Sequence, residues 1–191
     1  MTTWLSIWLG KKCPLGCVSD MTAVREMMGE GDRHIVVADQ PIGDLAVTPI
    51  ETVIQGVMGG PFADDWMRYT ECVVEPAWRF TKGHAWSDWL RIYFAATEDD
   101  LWYLDSDARL KYMPDVKTGT AYFAPIGKDR LHLAILYSGG RVPFFEGLIR
   151  KVSNGEPVTR KSLYCILNRQ EVAGEIAALP ADCFTHVGNN E

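Results

Sequence analysis

The chain has 191 residues, enough for one domain with a sizeable core, and its 47% hydrophobic and 23% charged residues exclude a disordered polymer. A formal net charge of -6 argues against a nucleic-acid partner, because phosphate neutralisation needs a basic surface. No apolar run approaches the roughly 20 residues that a transmembrane helix needs. The opening MTTWLSIWLGKK is apolar before it is basic, the reverse of secretory order, so a cytoplasmic location is expected.

Residues 4–9, WLSIWL, form an apolar run that predicts a buried first strand. Lys11 to Gly16 reads as a loop around Pro14 and Gly16. Ser19 or Asp20 is positioned to cap a helix running to about Met28, closed by Glu30-Gly31. HIVVAD, residues 34–39, predicts a second strand. Pro41 to Pro61 is broken by prolines and glycines, with ETVIQGVM able to form a short helix. A further helix starts at Asp64 and stops before Pro76.

The strongest helix signal is AWSDWLRIYFAA, residues 85–96, where Trp86, Trp89, Leu90 and Tyr93 recur at three- and four-residue spacing. After the acidic Glu98-Asp99-Asp100, LWYL at 101–104 predicts a short strand that ends on Asp105-Ser106-Asp107. TAYFAP and LHLAILYS predict two more strands. VPFFEGLIRKV, residues 142–152, predicts a helix started by Pro143, and another is expected over about 159–167. Strands alternating with helices define an α/β domain whose mostly parallel, twisted sheet is covered on both faces.

Two carboxylates at the end of an apolar strand carry the chemical interest, since open α/β sheets bind ligands outside the carboxyl ends of their strands. Asp105 and Asp107 alternate along the backbone, so a turn is needed for both to serve one site. Oxygen donors of this kind suit magnesium or manganese, which bind diphosphate oxygens. Asp88 and Arg91 share one face of the 85–96 helix, on a helix otherwise rich in apolar residues. The five cysteines are scattered, so no disulfide framework is expected, and Cys13 and Cys17 read as two thiols in a turn. His34 and His132 lie in strand patterns and read as satisfied core or edge histidines. Trp66 and Trp78 read as exposed rings at an acceptor cleft or a subunit contact.

Ser87-Asp88-x-x-Arg91 followed by Tyr103-Leu104-Asp105-x-Asp107 resembles the DXD-containing sugar-binding region of GT-A glycosyltransferases. That group includes mannosyltransferases, capsular-sugar transferases and the glucosylating toxins. The opening L-S-I-W-L-G-K-K-C-P, residues 5–14, the stretch 134–152 and LPADCF at 179–184 extend the likeness in chain order. The resemblance implies a GT-A-like single domain over 1–191, a nucleotide-sugar donor (UDP- or GDP-sugar) and a divalent metal, Mn2+ or Mg2+. It also implies that Trp8 stacks on the nucleotide base and that Asp88 and Arg91 hold the sugar hydroxyls. Asp105 contacts ribose, sugar and metal, Asp107 is the direct metal ligand, and His186 is the candidate third. The acceptor, whether glycan, protein or small molecule, is open. Such enzymes retain anomeric configuration, and no side-chain nucleophile is assigned.

The chain departs from the family's pattern in carrying Thr97-Glu98-Asp99-Asp100 where Gly-Gly is usual before the DXD strand. That places acidic charge, on this reading, beside the diphosphate site. The competing reading is a noncatalytic nucleotide-sugar-binding or interaction protein on the same fold. His186 sits in a tail expected to fray.

Overall fold

The computed structural model describes residues 1–10, 12–72, 82–126, 130–140, 142–154, 166–168 and 176–186. The strands are β1 (Thr3–Trp8), β2 (Arg33–Ala38), β3 (Val47–Pro49), β4 (Asp100–Leu104) and β5 (Ala108–Leu110). Then come β6 (Ala121–Ile126), β7 (Arg130–Gly139), β8 (Ile166–Asn168), β9 (Ile176–Ala178) and β10 (Phe184–His186). The helices are α1 (Leu15–Ala23), α2 (Ile50–Met58), α3 (Ala63–Cys72), α4 (Lys82–Thr97) and α5 (Pro143–Ser153).

The main sheet runs β3-β2-β1-β4-β7-β6-β9, with β8 also paired to β7. The pairings β1–β2, β2–β3, β1–β4 and β6–β9 are parallel, whereas β7 is antiparallel to β4, β6 and β8. β7 therefore runs against its neighbours, and β1, β2 and β4 all deliver their carboxyl ends to one edge. Alternation splits the strand side chains between two faces. Leu5, Ile7, Leu101 and Tyr103 join α2 to α5 in the larger core, where Trp66 and Trp89 of α3 and α4 meet edge-to-face at 4.9 Å. Trp4, Trp102 and Leu104 turn to the other face, and Met21 of α1 packs there on Val36 and Ala38.

Several sequence expectations are corrected by this packing. α1 begins at Leu15, four residues before Ser19, because Pro14 occupies the N-cap with φ -61° and the Val18 amide donates to its carbonyl at 3.0 Å. Ser19 and Asp20 lie inside the helix and cap nothing. Trp66 is 4% exposed, enclosed by Trp86 and Trp89, and is no surface ring; Trp78 lies outside the described residues. Most of the helix expected over 159–167 also lies outside them, and Ile166 and Leu167 belong to β8. His186 belongs to a strand, β10, paired with β5.

The acidic loop before β4 does not border the Asp105–Asp107 turn. Glu98 pairs with Arg33 and accepts from the Thr3 hydroxyl, and Asp100 accepts from the Thr2 hydroxyl at 2.9 Å. These contacts lie at the amino edge of the sheet. The five residues of β4 put that edge about 16 Å from Asp105, at the rise of an extended strand.

Candidate active site

The site is assembled where β1, β2 and β4 end. Leu5 is level with Tyr103 and Trp8 with Ala38, so Trp8, Asp39 and Asp105 emerge at one edge. Asp39 accepts from the Gly10 amide at 3.3 Å, and the Gln40 side chain donates to the Gly10 carbonyl, which fixes the backbone leaving β1. Gly10 lies against the Trp8 indole, where a Cβ would stand 3.5 Å from Nε1.

On the α4 side, three of the residues singled out from the sequence meet. Arg91 pairs with Asp88 at 2.9 Å, as their i,i+3 spacing requires, and with Asp105 at 3.2 Å. Its guanidinium also donates to the Leu133 carbonyl of β7 and lies 4.6 Å from the centre of the Tyr103 ring. The Tyr103 hydroxyl donates to Asp105 Oδ1. Tyr103 is fully enclosed, and burial holds its phenol well above its ordinary value, so it stays a donor. The Asp105 amide bonds the Ala134 carbonyl at 2.7 Å, so β7 braces both the arginine and the strand end.

The chain then turns, with the Ala108 amide donating to the Asp105 carbonyl at 2.9 Å. The turn divides the two acids. Asp105 faces α4, and Asp107 lies by α1, where its charge helps push up the Asp20 carboxyl and the Cys17 thiol. Burial is the largest cause of both shifts, with Arg109 opposing it at Asp20 and a hydrogen bond to Ser106 opposing it at Cys17. Trp8 belongs to this second group, packing in one cluster with Cys13, Cys17 and Val18. β10 pairs with β5 so that His186 is level with Ala108, the residue after Asp107. Trp8 and Asp107 thus lie on the α1 side of the edge, and Asp88, Arg91 and Asp105 on the α4 side, with the Asp105–Asp107 turn between them.

Asp20, Cys17, Ser106 and Arg109 had no assigned place at the site in the sequence reading. Their approach comes from α1 packing beside β5, a contact without a local signal. The two strand histidines are satisfied: His34 Nε2 lies 3.2 Å from the Ser6 hydroxyl, and His132 Nδ1 accepts from the Ala134 amide at 3.0 Å.

The donor set fits a hard divalent cation better than a soft one. Carboxylates supply the oxygen atoms at the turn, whereas the Cys13 thiol is pushed up to about 11 by burial and by Cys17, and stays protonated. No group of three or more histidine, cysteine or acidic side chains is arranged for a metal among the described residues.

No protein-family model matches the chain, and no curated protein matches it in sequence. Solved structures do match. The chain is similar to the PaToxG glycosyltransferase with a TM-score of 0.60 and 13% identity, over 91% of this chain and 70% of that one. It is also similar to a glycosyltransferase involved in glycosylation of the major capsid of PBCV-1, with a TM-score of 0.51 and 12% identity, over 100% of this chain and 94% of that one. At such identities the likeness establishes the fold, which is GT-A-like: a mixed α/β sheet flanked by helices.

Proposed function

We propose that the chain, as a single domain over residues 1–191, is a metal-dependent glycosyltransferase that moves a sugar from a UDP- or GDP-sugar to an acceptor with retention of configuration. The observation that carries this reading is the meeting of Asp88, Arg91 and Asp105 beside the Asp105–Asp107 turn, at the carboxyl edge of a GT-A-like sheet. The base lies on Trp8, whose indole N–H is buried without a hydrogen-bond partner among the described residues. Asp88 and Arg91 hold the sugar hydroxyls, and Asp105 the ribose and sugar. Asp107, with Asp105 and with His186 as a third group, would hold Mn2+ or Mg2+, which neutralises the diphosphate leaving group. The relocation of Glu98 and Asp100 to the amino edge removes the charge conflict that their sequence position implied.

The experiment is donor hydrolysis in manganese with UDP- and GDP-sugars, read as nucleoside diphosphate release. Slow turnover is expected, and Asp107→Asn should lower it at least about a hundredfold, as for loss of one charge-stabilising group. Turnover indifferent to both chelation and Asp107→Asn refutes the reading. Metal-dependent binding of the nucleotide sugar without turnover identifies the noncatalytic alternative.

A further inference from the structure

We propose that Cys13 and Cys17 form a dithiol site that closes to a disulfide by exchange with a small disulfide such as oxidised glutathione, and that closure loosens the Asp105–Asp107 turn. The site lies outside the donor chemistry proposed above, and only its effect on nucleotide binding rests on that reading. Pro14 caps α1, so Cys13 stands just outside the helix and Cys17 is its third residue. The Cys13 side chain turns back over the first turn, where Sγ donates to the Pro14 carbonyl at 3.7 Å and is hydrogen-bonded to Cys17. Both thiols are free and partly exposed, whereas Cys183 is fully buried. Cys17 is also hydrogen-bonded to Ser106, between Asp105 and Asp107, and both cysteines pack in the cluster that holds Trp8. An S–S bond of about 2 Å is far shorter than a thiol hydrogen bond, so closure draws Cys17 toward Cys13 and off Ser106.

In the exchange, one cysteine thiolate attacks a glutathione sulfur, which breaks that S–S bond and expels one glutathione thiolate. The second cysteine attacks the mixed disulfide and expels the other. Two thiols are oxidised, one disulfide is reduced, and the two protons end on the two glutathiones. Burial, more than any neighbour, pushes both thiols up, so the exchange is slow and the site answers to a sustained redox poise.

The test is prolonged incubation of the whole chain with oxidised glutathione, then alkylation of the remaining thiols and peptide mapping by mass spectrometry. A Cys13–Cys17 disulfide that reduced glutathione reopens is expected. Unreacted thiols, glutathione left on either cysteine, or pairing of either with a third cysteine overturns the proposal. Titration calorimetry with manganese and UDP or GDP then compares the two forms. The disulfide form should bind about tenfold more weakly, the worth of one hydrogen bond, and equal or tighter binding overturns the link to the turn. The double variant Cys13→Ser, Cys17→Ser should bind alike before and after the oxidant. A tenfold loss there places the effect at another cysteine and refutes the assignment. Crystal structures of the two forms decide without any variant. Cys17 should leave Ser106 in the disulfide form, and a retained contact overturns the proposal. If the unaltered protein binds neither nucleotide, the functional reading above fails, while the mapping and the crystal structures still decide the dithiol site.

Discussion

Trp8 and His34 begin on similar strand patterns and end with different duties. Trp8 closes β1 at the carboxyl edge, half-buried beside Gly10. Truncation to alanine should weaken nucleotide binding by about 1–3 kcal/mol, the range for base stacking on an aromatic ring. Calorimetry with the nucleoside diphosphate measures it, and the loss should be the same whichever sugar is attached. His34 faces Ser6 under the chain, where burial and the charge of Arg25 depress it from 6.5 to about 4. A neutral buried histidine stabilises fully above its unfolded value and loses that contribution as pH falls from about 6.5 toward 4, where the unfolded chain takes up the proton first. The loss amounts to about 3 kcal/mol at its acid limit. Urea midpoints for the native chain and His34→Gln should converge on acidification through this window, and a constant difference would exclude the titration.

At the scale of elements, α4 was legible because its apolar residues follow the helical period and Asp88 and Arg91 fall three apart on it. What sequence could not convey is how closely its first turn approaches β1. A Cβ on Gly83 would stand 2.7 Å from the Leu9 carbonyl oxygen, a backbone atom with little room to retreat. Gly83→Ala should therefore cost about 1–3 kcal/mol as overpacking. Because Asp88 and Arg91 ride on the same helix, it should also lower nucleotide affinity, whereas an alanine at exposed Gly16, with open space around its Cβ position, should not shift α4. Thermal unfolding and calorimetry on the two variants separate these outcomes. α1 shows the opposite failure. Ser19 and Asp20 have the chemistry of caps, but Pro14, whose ring locks φ, takes the extended N-cap conformation and starts the helix first. That early start carries Asp20 and Cys17 to the Asp105–Asp107 turn, an approach with no periodic signature.

For the whole molecule, the order β3-β2-β1-β4-β7 makes the site a seam between two helical layers. The parallel strands were readable as apolar runs, and the two carboxylates as their terminus. The reversal of β7 was not, although it supplies the Leu133 and Ala134 carbonyls that brace Arg91 and Asp105. A ligand spanning Trp8 on one face and Asp105 on the other would cross-brace α1, α4 and the sheet, and so should stabilise the fold as a unit. At a free concentration of about 100 times Kd, linkage gives about 2.7 kcal/mol. For a chain of this length that raises Tm by about 5–10 °C. The rise should require manganese together with the nucleotide sugar and vanish on chelation, because the turn acids alone present negative charge to the diphosphate. A shift of equal size without metal would mean that the diphosphate is held by cations elsewhere, and the roles given to Asp105 and Asp107 would have to be withdrawn.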